Sequence, residues 1–274
     1  MLLALDLDGT LLTTDKQLTA RNLDAVTRAQ DAGTTVVLSS GRHPHSMAHF
    51  AELLHMRERG GYLVAFNGGM IVDYPTGRIL HEEHLPTHLL PRLRNWARHY
   101  DLPMLTFRGN VPPTIISEQP TNPYVVENAR NNRMTVEGVD DIAAAMLALP
   151  VPPPKCLLPG PPELLPEVEA AMRADLQGEM DIYRSAPYYL ELVPPGVDKG
   201  RALLRLLEHL HLTPADLMAC GDQDNDIPML RVAGIGVAMG NAAENVKAAA
   251  DHVTLSCDED GVAHAIERLL LGEG

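Results

Sequence analysis

The sequence predicts an α/β protein: a parallel-sheet core with helices on both faces, and an α+β module inserted into that core. Short apolar runs alternate with helical segments at both ends of the 274-residue chain. The apolar runs stop abruptly at Asp, Ser, Asn or Gly. Between them, over about residues 82–186, the rhythm breaks into a proline-rich, irregular stretch. The core is therefore assigned to residues 1–81 and 187–274, and the insertion to 82–186, a normal domain size.

The chain opens with MLLALDLDGTLL, whose apolar start is too short for a helix and suits a strand buried on both faces. Thr19 can cap a helix through about residue 32, with Leu23, Val26 and Ala29 as its inner stripe and Gly33 as its stop. TTVVLSSGR is a second buried strand, residues 45–56 a helix, and YLVAFNGG a third strand. Strand, helix, strand, helix, strand is the order of a parallel sheet covered by helices.

The middle of the chain carries NVPPT, PVPPPK and PGPPEL, prolines that suit edge strands and connections. Strand-like pieces (MLTF, PTIIS, RMTVE, KCLL) alternate with helical ones at 87–99, 140–149 and 163–176. RSAPYYLELVPP reads as the return to the core, with Arg184 as a contact for a ligand. The first rhythm then resumes. GVDKGRALLRLLEHLHL is an amphipathic helix, LMACGD a strand, IPMLRVA a short helix, and GIGVAMGNA a strand and turn. AENVKAAA is a helix, HVTL a strand, and DEDGVAHAIERLLL the closing helix.

Composition narrows the partners. Hydrophobic residues make up 45%, enough for a real core, and aromatics only 4%, so aliphatic side chains must fill it. The formal charge of -14 repels nucleic acid and anionic lipid, so neither is an expected partner. Cys156, Cys220 and Cys257 are far apart, which argues against a disulfide framework and for a reducing compartment. No basic leader precedes the first apolar run, Asp6 interrupts it, and no window nears the roughly 18 apolar residues of a membrane span. A cytoplasmic protein is expected. The histidine spacings HEEH and HLPTH suggest metal ligands, but Pro86 spoils the helical geometry between His84 and His88.

Asp6 and Asp8, Ser39 and Ser40, Asn67, and Asp222 each stand where a buried strand should stop. Ligands of open parallel sheets sit beyond the carboxyl ends of the strands, so these residues converge on one edge. Two carboxylates, Asp6 and Asp222, could share a hard cation such as Mg²⁺. Lys199 begins a helix, where a cation opposes the dipole and is better explained by an anion within reach. Ser40 offers a hydroxyl and the Gly41 region backbone N–H groups. Carboxylates, Mg²⁺, a lysine and a hydroxyl together describe phosphoryl transfer. Arg42 could contact the phosphate or tie the loop down.

DLDGTLL, SSGR, GVDKG and GDQDND, in that order, resemble the four motifs of the haloacid dehalogenase superfamily. GVAMGNAAENVKAAADHVTLSCDEDGVAHAI and the placement of the middle module resemble its Cof-type phosphatases, with a Rossmann-like core and a mobile cap that closes over the site. The resemblance implies Asp6 as nucleophile, Asp8 as general acid and base, and Lys199 as the cation that neutralises phosphate and nucleophile. Asp6, the backbone carbonyl of Asp8 and Asp222 are implied as Mg²⁺ ligands. Asp226 joins that metal group, orienting a metal-bound water or Lys199. Ser40, Gly41, Arg42, Asn67, Asn225 and Asn241 are implied on the substrate side. The implied substrate is a small phosphate ester, with sugar phosphates leading, handled by a monomer or weak homodimer. A sugar phosphotransferase or mutase, or a non-catalytic phosphate sensor, are the rival readings.

Overall fold

The computed structural model describes residues 1–109 and 112–273, so the first two residues of the proline-containing stretch 110–114 lie outside the described residues. The chain divides into two compact units, Met1–His81 with Asp198–Gly274, and Glu82–Val197. Strands β1 (Leu2–Leu5), β2 (Thr35–Ser39), β3 (Tyr62–Ala65), β4 (Met70–Asp73) and β5 (Arg78–Glu82) come first. The second unit holds β6 (Leu105–Arg108), β7 (Thr114–Ser117), β8 (Thr135–Gly138), β9 (Cys156–Pro159), β10 (Asp181–Ala186) and β11 (Tyr189–Val193). The chain closes with β12 (Leu217–Gly221), β13 (Ile235–Ala238) and β14 (His252–Val253).

The first unit is an eight-stranded sheet in the order β14-β13-β12-β1-β2-β3-β4-β5. From β14 through β3 every neighbouring pair is parallel. The carboxyl ends of β1, β2, β3 and β12 therefore share one edge. Only past Asn67 and its glycines does the chain turn back, with β4 antiparallel to β3. The alternation of β1 buries it on both faces. Leu2 and Ala4 pack with Val37, Val64 and Ala219 beneath Ala202, Leu203, Leu206 and Leu207 of helix Lys199–His209, and Leu3 and Leu5 are equally buried.

Helix Ala20–Asp31 starts as its sequence predicts, with Thr19 accepting the Asn22 N–H. Its inner face differs by one position: Asn22 is buried with Ala25, Val26 and Ala29, and Leu23 is only half-buried. Asn22 is admitted because both ends of its amide are bonded, Nδ2 to the Leu11 carbonyl (3.2 Å) and Oδ1 to the Ala263 N–H (2.9 Å).

The second unit is a six-stranded sheet, β10-β11-β9-β6-β7-β8, antiparallel throughout except for the pair β7 and β8. Helices Leu90–His99, Ile142–Leu147 and Leu165–Asp175 cover one face, where Leu93, Met146 and Val168 meet Cys156, Leu158, Leu190 and Leu192. A further helix, Pro123–Asn132, was not expected from the sequence. Its start signal is present: Asn122 accepts the Tyr124 N–H, and Pro123 occupies the first turn, where its missing donor costs nothing.

The segment expected to return to the core is instead the hairpin of β10 and β11, inside the second sheet. Pro187 sits at the hairpin turn and not between units, and the unit runs on to Val197. Arg184 is bonded to Glu169 at 2.8 Å, so it serves a surface ion pair. Among the described residues, no helix is long and apolar enough to cross a membrane.

One close approach seats the helix that carries Lys199. Gly68, at the end of the turn after β3, has φ +105°, and a Cβ there would stand 2.3 Å from the Asp198 carbonyl oxygen. Asp198 caps helix Lys199–His209 by accepting the Arg201 N–H at 2.8 Å. Gly68→Ala should therefore destabilise the protein by about 1–3 kcal/mol through overpacking and a strained φ, read as a lower denaturant midpoint. Because the displaced carbonyl precedes Lys199, turnover should fall as well. Unchanged stability would show that helix and turn are not seated by this contact.

Candidate active site

Asp6 follows β1 directly, and its N–H continues the pairing with β12 by bonding the Cys220 carbonyl at 3.1 Å. The chain then closes on itself: the Leu11 N–H reaches the Asp6 carbonyl (3.2 Å) and the Leu12 N–H reaches Leu7 (2.9 Å). Gly9 permits this turn. Its φ is +86°, and a Cβ would lie 2.5 Å from Asp222 Oδ2. The next residue, Thr10, donates its hydroxyl to Asp222 Oδ1 at 3.0 Å, so the loops after β1 and β12 are stitched together.

Lys199 is the centre of the buried charge. It is fully buried, and its Nζ lies 2.6 Å from Asp6 Oδ1 and 2.6 Å from Asp226 Oδ1. Burial disfavours its charge, but the Asp226 and Asp6 carboxylates outweigh that and raise its pKa, so the ammonium stays protonated. Asp226 is tied on both oxygens: Oδ1 accepts Lys199, and Oδ2 accepts the backbone N–H groups of Asp222 (2.9 Å) and Gln223 (3.0 Å). It clamps the loop that presents Asp222 and points Lys199 at Asp6.

Asp6, Asp222 and Asp226 each place a carboxylate oxygen within 4.8 Å of the others. Burial, and then the charge of Asp226, push Asp6 well above the usual carboxylate range despite the pull of Lys199. The same two causes push Asp222 up to about 6, against hydrogen bonds from Gln223 and Thr10. Close, buried, mutually repelling oxygen donors suit a hard dication, which would relieve both strains. Among the described residues this is the sole group of that kind, and none of the histidines joins it.

Asp8 stands apart from that cluster. Its carboxylate is held by Arg42, with Nε to Oδ2 at 2.8 Å and Nη2 to Oδ1 at 2.6 Å, and by Lys16 Nζ at 2.8 Å. Burial raises its pKa, yet Arg42 first and Lys16 second hold it at about 2. Arg42, expected either at the phosphate or tying down the loop, is thus bonded to Asp8.

The remaining residues form the rims. Ser40 is buried at the end of β2, where its N–H reaches the Val64 carbonyl at 2.9 Å and its Oγ accepts the Arg42 N–H at 3.3 Å. Asn67, left-handed at φ +56°, bonds the Ser40 carbonyl through its N–H (3.0 Å) and receives Asn225 Nδ2 on its Oδ1 (2.9 Å). Gly41 faces the same Asn67 amide, which a Cβ would meet at 2.9 Å. Asn241 donates to the Gly9 carbonyl (2.9 Å) and to Asp222 Oδ2 (3.3 Å), and accepts the Cys257 N–H (2.9 Å).

Every sequence-predicted site residue except Arg184 therefore lies in the first unit, and Asp6, Lys199, Asp222 and Asp226 are in direct contact or close array. Sequence reasoning gave no role to Thr10, though it lies inside the DLDGT motif, and missed Lys16, whose loop carries no signal.

A parallel sheet with buried acids and one buried lysine at its carboxyl edge is consistent with the phosphoryl-transfer chemistry expected from the sequence. The family model for haloacid dehalogenase-like hydrolases matches residues 3–266. YxeH of Bacillus subtilis is 32% identical over 276 residues, covering 99% of each chain. The 5-amino-6-(5-phospho-D-ribitylamino)uracil phosphatase YcsE of the same organism is 31% identical, over 98% of this chain and 96% of its own. A crystal structure of a haloacid dehalogenase-like hydrolase from Bacteroides thetaiotaomicron superposes with a TM-score of 0.89 at 41% identity, over 98% of this chain and 99% of that one. The chain belongs to the haloacid dehalogenase-like hydrolase family, as a phosphatase or phosphotransferase of the Cof type.

The raised carboxylates carry a test. Asp6 and Asp222 bind protons more tightly folded than unfolded, so their contribution is fully present below the unfolded value of roughly 4. It is lost as pH rises through the folded values, about 6 for Asp222. Chelator-treated protein should lose this contribution over that window, and Mg²⁺ should restore it only where the acids are ionised. The Mg²⁺-induced rise in Tm is expected to be small near about pH 4.5 and to grow as pH rises through about 6, where Asp222 ionises. A rise that is independent of pH would place the ion elsewhere.

Proposed function

We propose that the protein is a Mg²⁺-dependent phosphomonoester hydrolase that acts on small phosphorylated metabolites, sugar phosphates foremost, through an aspartyl-phosphate. The observation that carries this reading is the state of Asp6. One of its oxygens is neutralised by Lys199 at 2.6 Å, and the other, Oδ2, accepts no hydrogen bond among the described residues. A buried carboxylate with one oxygen held and one free is oriented for attack.

In the first step Asp6 Oδ2 attacks phosphorus, the bond to the leaving oxygen breaks, and that oxygen takes a proton from Asp8, which gives it only from a protonated form released from Arg42 and Lys16. In the second, water attacks the same phosphorus as Asp8 takes its proton, and the bond to Asp6 breaks to release phosphate. Lys199, charged and fixed by Asp226, balances the negative charge on the transferring group. Ser40 Oγ and the backbone N–H groups near Gly41 supply donors to its outer oxygens. Asp6, Asp222 and the Asp8 carbonyl would hold Mg²⁺, with Asp226 beside them, and the ion would add Lewis-acid stabilisation of the phosphoryl oxygens. The relative named for a phosphorylated ribitylamino compound supports a polyol or sugar ester as substrate class.

A panel of phosphorylated metabolites, assayed with and without Mg²⁺, tests the reading by released phosphate. Isomerised sugar phosphate without free phosphate would indicate a mutase instead. Asp6→Asn should fold and lose turnover by at least about 10⁴-fold, since the amide is a poor nucleophile and a weaker ligand. Appreciable turnover by that variant sinks the assignment. Asp8→Asn should slow single-turnover release of an alkyl alcohol by about 10²–10⁴-fold and release of p-nitrophenolate by less, because an acidic leaving group needs no proton. Equal losses would remove Asp8 from proton transfer.

A further inference from the structure

We propose that Gln223 is a positioning residue that completes a cradle of neutral donors around the Asp222 carboxylate and so sets the affinity of the site for Mg²⁺. The inference rests on the hydrolase reading above, in which Asp222 is a ligand of that ion. Asp222 Oδ2 accepts Gln223 Nε2 at 2.9 Å and Asn241 Nδ2 at 3.3 Å, and Oδ1 accepts the Thr10 hydroxyl at 3.0 Å. A carboxylate oxygen has about two acceptor sites. Oδ2 is therefore filled, and Oδ1 keeps one site open.

All three donors are neutral, and that separates Asp222 from the other acids of the cluster. Asp6 and Asp226 share the ammonium of Lys199. Among the described residues no cation bonds Asp222. Its carboxylate is thus oriented by dipoles alone and keeps its full charge when ionised. A neutral donor fixes the direction of a ligand without cancelling the attraction that binds a dication. An ammonium in the place of the Gln223 amide would compete with the ion for that charge.

The cradle is itself held in place. Asn241 Oδ1 accepts the Cys257 N–H at 2.9 Å, and its Nδ2 also donates to the Gly9 carbonyl at 2.9 Å. Only the oxygen of an amide can accept an N–H, so Nδ2 is the end that faces Asp222. The Gln223 backbone N–H bonds Asp226 Oδ2 at 3.0 Å, which fixes the start of its side chain in the same loop. Gln223 is otherwise an exposed residue. Holding a long, exposed side chain in one rotamer offsets most of what a single hydrogen bond adds to stability. The contact is better explained by what it does to the buried carboxylate.

The test is calorimetric titration of Mg²⁺ into the chelator-treated full chain, at alkaline pH so that Asp222 is ionised in every variant, with the melting temperature of the metal-free protein measured beside it. Gln223→Leu keeps the bulk and removes the donor. It should bind Mg²⁺ about 10-fold more weakly, the lower end of the effect of removing a residue that orients a metal ligand. Its metal-free melting temperature should change little, and saturating Mg²⁺ should restore phosphate release. Gln223→Lys keeps a donor but adds charge, and should weaken Mg²⁺ binding by at least as much. Wild-type affinity in either Gln223 variant, or a fall in metal-free melting temperature that accompanies the weaker binding, would overturn the proposal while leaving the hydrolase reading in place. Asp222→Asn is the control and should lose Mg²⁺ binding. Wild-type affinity in that variant would remove Asp222 from the metal site, and this proposal with it.

Discussion

The buried ammonium of Lys199 is the interaction on which the site depends. Three carboxylates converge within 4.8 Å in a nearly solvent-free pocket, an arrangement that repels itself. Lys199 bonds two of them, and without that charge Asp6 and Asp226 would be buried beside each other with no cation. Asp226 in turn uses its second oxygen to hold the loop that carries Asp222. One charge pair thereby sets the direction of the lysine, the shape of the loop and the open oxygen of Asp6.

The fold delivers these groups by simple means. Because β1 lies between β2 and β12 and all three are parallel, Asp6, Ser40 and Asp222 emerge at the same edge. Helix Lys199–His209 is pinned to the sheet by its leucine face, and Gly68 lets the turn after β3 approach its first carbonyl. The amino end of that helix is unfavourable for a lysine in water. It becomes favourable here because two carboxylates sit closer to Nζ than the helix amides can offset. Asp8 is separated from this cluster, held on its own pair of cations.

Different features were legible to different degrees. The alternating rhythm exposed the first unit because each of its parallel strands is a short apolar run that ends sharply. The second unit is harder to read, since its sheet is mostly antiparallel and prolines crowd the connections between its short strands. Helix Pro123–Asn132 is hidden among prolines that mark its start, and the hairpin of β10 and β11 reads in the sequence as a return to the core because Pro187 looks the same at a turn as at a boundary. Leu23 and Asn22 exchanged roles because side-chain hydrogen bonds across the fold, invisible in a periodicity, decided which of them could be buried.

The sequence by itself determined the class of chemistry: acids, a hydroxyl and a lysine set at strand ends and a helix start, in an order that resembles one superfamily. Those choices are local, because strand ends and helix caps are encoded within a few residues. Only the tertiary structure decided what each charged group faces. That Arg42 holds Asp8, that Lys16 joins it, and that Asp226 is tied to Lys199 and two amides all depend on contacts between segments far apart in the chain. Electrostatic partnership depends on distance and burial in three dimensions, and a linear spacing carries neither.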